Sequence, residues 1–242
     1  TSRYGGYQAD SGYTQHKATV RLDNEWNDWL IDGALEASEL DQETAGYIEG
    51  YEAYKDKDAS KENPNPEAYR DAWSARGHLG FSRSWSEDTE VTIRPYWRSN
   101  AMTFLQHFVP WKPTEENRHR SVGIQTSAKI SRDDLRWLVG ADFDQTTGKL
   151  VETQAVFFSP NQPDGTHYDY EVDAQTAASF VHLNWALKPQ WSLDAGLRLE
   201  ETRYDYSNRT EDGAACAPSA SSCRFYRPAS RKDSFGDWTG NV

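Results

Sequence analysis

Apolar and polar residues alternate with a period of two over most of the chain, the pattern of β-strands with one apolar and one polar face. Ala18, Val20 and Leu22 alternate with Lys17, Thr19, Arg21 and Asp23. Trp29, Ile31, Gly33, Leu35 and Ala37 then alternate with Asp32, Ala34, Glu36 and Ser38. A second pair sets Trp73, Ala75, Gly77, Leu79 and Phe81 against Ser74, Arg76, His78, Gly80 and Ser82. It continues with Val91, Ile93, Pro95 and Trp97 against Thr92, Arg94, Tyr96 and Arg98. The third pair reads Val122, Ile124, Ala128 and Ile130, then Leu135, Trp137, Val139, Ala141 and Phe143. The fourth reads Val181, Leu183, Trp185 and Leu187, then Trp191, Leu193, Ala195, Leu197 and Leu199. Pro95 is the one local misfit, because proline removes a donor from the ladder.

Connections alternate in length. Short turns fall near Asn24–Asp28, Ser86–Asp88, Ser131–Asp134 and Lys188–Gln190, and long ones near Leu40–Tyr69, Thr103–Arg120, Thr146–Val172 and Ser207–Lys232. A strand of about ten residues at ~3.3 Å per residue, tilted ~45°, rises roughly 25 Å, the height of the apolar band of a membrane barrel. Trp26, Trp29, Trp85, Trp137, Trp185 and Trp191 sit beside the short turns. An indole at the lipid–water boundary keeps its ring dry and its N–H wet, whereas ring position in a soluble sandwich has no reason to follow turn length. These patterns predict an all-β fold: an antiparallel transmembrane β-barrel segment of about eight long strands, with short periplasmic turns and long extracellular loops.

Composition agrees with that geometry. The 242 residues include 10 Trp, 13 Tyr and 9 Phe, yet the mean hydropathy is −0.90. Low hydropathy is normal where lipid-facing residues alternate with polar ones. Apolar runs reach only about four residues, as in Ala155–Phe158, so a membrane helix of ~20 apolar residues cannot be built. A net charge of −12, with no basic stretch, argues against nucleic acid as a partner. Catalytic and phosphate-binding motifs are missing, and the six histidines lack metal-ligand spacing; the chain is read as no enzyme, with no metal or cofactor. Cys216 and Cys223 flank a loop-like stretch, where a local disulfide suits an oxidising compartment; two free thiols are the alternative. The ending at Asp237-Trp238, where a new strand starts, suggests a segment of a longer polypeptide.

On the polar face, Arg76, His78, Arg94, Arg98, Lys129, Arg136, Asp142, Asp144, Asp194, Arg198 and Glu200 form a mixed-charge wall. Asp142 and Asp144 are expected to be answered by Arg136, Arg94 or Arg98, or by a domain inside the barrel. The loops offer the candidate binding residues: Tyr47 and Tyr51 in the first, and Phe104, His107, Phe108, Trp111 and Arg118 in the second. Aromatic rings with cations can receive an anionic chelate by stacking and charge.

Several stretches resemble TonB-dependent receptors of Gram-negative bacteria. They are Gln42–Gly50, Asn63–Trp73, Phe104–Phe108, His167–Asp173 and Tyr226–Phe235. The resemblance implies a 22-stranded outer-membrane transporter with a plugged lumen, of which residues 1–242 are part of the wall. The plug domain, the TonB box and the remaining strands lie elsewhere. It further implies contact with outer-membrane lipid and lipopolysaccharide, with the protein's own plug and with the TonB energy-coupling complex, and uptake of a scarce nutrient such as a ferric siderophore. A self-contained eight-stranded barrel serving as anchor or pore, and a soluble β-sandwich or propeller acting on glycans, are the alternatives.

Overall fold

The computed structural model describes residues 1–241. Ten strands form one antiparallel sheet in chain order. They are β1 (Ser2–Tyr4), β2 (Tyr13–Trp26), β3 (Trp29–Glu43), β4 (Tyr69–Ser86) and β5 (Thr89–Leu105), followed by β6 (Thr114–Arg132), β7 (Leu135–Gln154), β8 (Gly165–Lys188), β9 (Trp191–Asn208) and β12 (Arg231–Asn241). A separate two-stranded ribbon, β10 (Gly213–Ala214) with β11 (Tyr226–Arg227), lies in the connection between β9 and β12. The eight expected strands are β2 to β9; the short β1 and the 11-residue β12 extend the sheet at either end. The sheet is open, with β1 and β12 at its two edges.

Each short turn has two residues between paired strand ends: Asn27-Asp28, Glu87-Asp88, Asp133-Asp134 and Pro189-Gln190. At Asn27-Asp28 both φ angles are positive, 48° and 65°. This is the mirror-image turn whose twist matches that of the flanking strands, and Asn and Asp tolerate it better than other side chains. The second and fourth turns are accompanied by register shifts at Ser84/Ser86 and Ala186/Lys188. Pro95 stays within β5, opposite Ile124 of β6. On its other side the β4–β5 pairing passes from His78–Tyr96 directly to Phe81–Ile93. The missing N–H thus interrupts one ladder locally and leaves the strand intact.

Strands are longer, and long connections correspondingly shorter, than a membrane-thickness estimate gives. β7 has 20 residues and β8 has 24, so the connection expected over Thr103–Arg120 shrinks to residues 106–113, and that over Thr146–Val172 to residues 155–164. Pairing partners share a face, so the registers assign every strand side chain to one side of the sheet. The first side carries Val20, Leu35, Gly77, Trp97 and Val122 in one cross-strand row. Below it lie Val91, Ala128, Val139, Val181 and Leu197 in another. Eight strand tryptophans share this side, Trp26, Trp29, Trp73, Trp97, Trp137, Trp185, Trp191 and Trp238, while Trp85 sits in the register shift at Ser84/Ser86. On β6 the apolar stretch from Ile130 to Val122 covers roughly 20 Å of height at ~3.3 Å per residue and ~45° tilt.

This apolar side covers no core. Among the described residues Ala68, Pro113, Ala178 and Phe225 are the buried apolar side chains, while Val20, Leu22, Leu35, Val122 and Leu199 are about half exposed or more. In water such a surface would far exceed the few hundred Å² that a soluble monomer exposes in one patch. A hydrocarbon solvent removes the conflict. Val139→Arg, in the middle of the apolar side, is expected to cost the inserted full-length protein about 2–4 kcal/mol, and Gln125→Arg on the polar side under about 1 kcal/mol. Equilibrium unfolding from lipid vesicles measures both, and equal costs would contradict the assignment of faces.

Candidate functional site

The opposite side of the sheet is polar and internally paired. Arg76 donates to Glu36 at 2.6 and 2.9 Å, Arg94 to Asp32 at 3.2 Å, and His78 lies 3.3 Å from the same Asp32. Asp144 accepts from Tyr96 at 2.5 Å, Thr146 at 2.6 Å and Arg98 at 3.2 Å. Asp142 accepts from Arg198 at 2.8 Å, and Arg198 also donates to Glu200 at 2.8 Å. Arg98 was among the partners expected for the two aspartates. Arg198, two strands away from Asp142, was not, because sequence spacing cannot show which strands come to lie side by side. Rings on this side lie over glycines: a Cβ at Gly123 would strike Tyr96, and one at Gly140 would strike Phe180.

Higher on the same side, beyond the apolar band of the other face, the wall becomes aromatic. Phe104 ends β5, with the Arg70 guanidinium 5.8 Å from its ring centre. His119 lies over Gly148, and Tyr170 and Tyr206 pack ring to ring at 5.3 Å. Cross-strand partners Asn100, His119, Gly148, Val172 and Tyr206 make one row; Met102, Asn117, Leu150, Tyr170 and Asn208 make the next. Phe104, Glu115, Glu152 and Tyr168 continue the surface upward.

Above the wall, three connections pack into one crown. His167 is fully buried, its two ring nitrogens each 2.8 Å from an oxygen, one of Glu152 and one the carbonyl of Pro163. The Gln106 amide bridges Glu152 and the facing Glu115 at 3.2 and 3.0 Å. Phe225 stacks on His167 at 3.7 Å, and Arg227 ties the same segment to the carbonyls of Thr166 and His167. Arg224 lies 4.7 Å over the Trp111 ring, which also packs against Phe158. Cys216 and Cys223 are joined by a disulfide within this connection. The 44–68 connection packs instead on residues 5–12, through Ala9 N–H to the Lys61 carbonyl and Gln8 to the Glu62 carbonyl, both at 2.8 Å. Lys112 reaches across to Glu67 at 2.5 Å, linking the two groups of loops.

The seven candidate residues therefore separate. Phe104 lies on the polar wall; His107 and Phe108 meet edge to face at 5.9 Å in the 106–113 connection, Phe108 largely exposed. Trp111 is engaged by the crown, and Tyr47 and Tyr51 stand exposed on the 44–68 connection. Arg118 is in register with Ala101 and Lys149, which puts it on the same side as Trp97 and Val122 and away from Phe104. His119 and Tyr170 were expected in loops because strands were ended at membrane thickness, and Arg70 and Tyr206, just outside those loops, carry no motif that singles them out. Continuing the period-2 count through Tyr168, Asp169, Tyr170 and Glu171 would have placed both tyrosines on one face.

Residues 3–242 match the family model described as TonB dependent receptor-like, beta-barrel. The chain belongs to this receptor family. No curated protein matches it by sequence. Among solved structures the receptor barrel is similar to the ferric citrate transporter FecA in its unliganded form, with TM-score 0.70 and 10% identity, over 96% of this chain and 33% of that one. It is also similar to the open form of the ferric-catecholate import receptor Fiu of E. coli K12, with TM-score 0.68 and 10% identity, over 97% and 44%. The copper transporter OprC gives 0.67 and 14%, over 95% and 33%. The chain thus spans well under half the length of these structures. At such identities the likeness speaks for the fold; the relatives are transporters and receptors, not enzymes. The polar side of the sheet is the lumen side of a receptor barrel.

Two outcomes follow for the crown. The Lys112 ammonium, as hydrogen-bond donor, holds the Glu67 carboxyl below its ordinary value of 4.5. The contribution of this tie is fully present above that value and is lost as pH falls through the lower folded value. Amide protection factors across residues 44–68, referred to the intrinsic exchange rate at each pH, are expected to stay flat from neutral pH down to the ordinary carboxylate range and to fall below it; Lys112→Ala removes the step. Thiol labelling of the unreduced protein is expected to modify neither Cys216 nor Cys223.

Proposed function

We propose that this chain is part of the barrel wall of an outer-membrane, TonB-dependent transporter that imports a scarce nutrient, most readily a ferric siderophore, with energy supplied through a plug domain and the TonB complex. The observation that carries this reading is the aromatic and cationic polar-side surface above the apolar band, where Phe104 with Arg70, His119, and Tyr170 with Tyr206 occupy five of the six adjacent strands β4 to β9. Flat rings stack on the conjugated ligand groups of an iron chelate, and the guanidinium balances its negative charge. The mixed-charge wall beneath suits a plug that must be held and then displaced. Its ion pairs are wet and partly exposed, so each contributes little and can be exchanged for a plug contact at small cost. Similarity to FecA and Fiu, both named for ferric ligands, favours iron over other cargo; OprC, named for copper, keeps a second metal in view.

The test uses the full-length receptor in cells starved of iron. Deletion of its gene is expected to abolish uptake of one radiolabelled ferric chelate, and expression is expected to rise on iron starvation. Phe104→Ala and Arg70→Ala should each weaken apparent affinity about three- to tenfold, the scale of a partly desolvated cation–aromatic contact. Expression indifferent to iron but induced by copper, a sugar or a peptide would sink the siderophore assignment and leave the transporter reading standing.

A further inference from the structure

Above the ion pairs of Arg76, Arg98 and Arg198, the wall sorts its charges by side. The register turns Arg118, Arg120, Lys149 and Arg203 to the side of the tryptophans, where Glu116, Glu171 and Asp173 also stand. On the polar side, Arg70, Glu115 and Glu152 fall in one row. Arg70 is in register with Phe104, Phe104 with Glu115, Glu115 with Glu152, and Glu152 with Tyr168. One guanidinium thus shares the row with two carboxylates in facing cross-strand positions, where like charges repel. Amides answer them: Gln106 donates to both, and Asn117 donates to Glu115 at 3.1 Å. Glu152 also meets the buried His167, whereas Glu115 is held by amides. An amide donor steadies a carboxylate without cancelling its charge.

The cations that border this surface are engaged. Arg231, in register with Tyr206, pairs with Asp233 at 2.9 Å, Arg227 holds the carbonyls of Thr166 and His167, and Arg224 lies over Trp111. Rings and amides make up the rest: His119, Tyr170 and Tyr206 with Asn100, Asn117 and Asn208. Burial first, then the neighbouring Tyr206 and the Glu115 carboxylate, hold the Tyr170 phenol above its ordinary value of 10.0. Surroundings that disfavour a phenolate disfavour any anion laid against them, and they keep the phenol as an O–H donor.

We infer that the guest of this wall is a ferric chelate with at most one net negative charge, its metal enclosed by singly charged bidentate groups of the hydroxamate kind. The inference rests on the transport reading above and narrows it. Three singly charged bidentate groups around a ferric ion leave no net charge, whereas three doubly charged catecholates leave a trianion. Arg70 can answer one negative charge; a trianion would bring the remainder against Glu115 and Glu152, the kind of juxtaposition that rejects a wrong partner. A neutral chelate instead offers carbonyl and amide groups to the phenol and amide donors of the wall, and its conjugated groups to Phe104 and Tyr170.

The full-length receptor in mild detergent is titrated with two chelates of comparable size, an uncharged ferric tris-hydroxamate and a ferric tris-catecholate. The uncharged chelate is expected to bind at least about tenfold more tightly. Raising salt from about 50 mM to about 500 mM is expected to strengthen the residual binding of the trianion, because salt screens repulsion. Asn117→Lys, which adds a cation beside Glu115, is expected to narrow the gap between the two chelates about tenfold, and Glu115→Gln to narrow it in the same direction. Equal or tighter binding of the trianion, weakening of its binding by salt, or a gap unmoved by both variants overturns the inference. Uptake of the catecholate chelate in preference to the uncharged one overturns it alone and keeps the iron-transport reading. Uptake of neither, with expression indifferent to iron, overturns both.

Discussion

The whole structure depends on one requirement: a strand lying in hydrocarbon must give every backbone N–H and C=O to a neighbouring strand, because no water is there to take them. That requirement fixes the registers, and the registers fix everything else. They run without a break along most of each hairpin, from Trp26–Trp29 to Tyr13–Gln42 in the first and from Arg132–Leu135 to Thr114–Thr153 in the third. A slip of one residue would turn all the tryptophans inward and all the ion pairs into lipid. Apolar burial, which organises soluble domains, has little part here, since only four apolar side chains among the described residues are buried.

The lumen side meets the complementary demand. Its aspartates find partners inside the wall, two strands apart in some cases, as Asp32 does with Arg94 and Asp142 with Arg198. A wall satisfied from within has no strong appetite for any particular neighbour. Under the transport reading proposed above, its exposed, exchangeable pairs suit a lumen whose filling must move. The buried His167–Glu152 contact differs in kind, being dry and sandwiched under Phe225, and it anchors the crown where the lumen is left open.

Much of this was legible in the sequence. Alternation located β2 to β9 and both of their faces, and Trp placement gave the membrane boundary at the turn side. Two things were hidden. The first was strand length: the period of two continues through Tyr168 to Glu171, but a length expectation taken from bilayer thickness hands those residues to a loop. The second was the company each residue keeps across strands. Arg118 looks like a natural partner for Phe104 in the chain, and only the register shows that they face opposite ways. The meeting of Arg224 with Trp111, or of Phe225 with His167, brings together distant segments that no local pattern connects.

The overhang of the strands has a consequence for recognition. β8 alone, with 24 residues at ~3.3 Å each, is far longer than a bilayer crossing requires. The upper wall is therefore regular sheet where a shorter-stranded barrel would have loop. Tyr170 and Tyr206 are held on a hydrogen-bonded scaffold before any guest arrives, so little backbone disorder has to be surrendered when one docks. Under the transport reading proposed above, such a surface trades adaptability for preorganisation and favours guests of one shape and size.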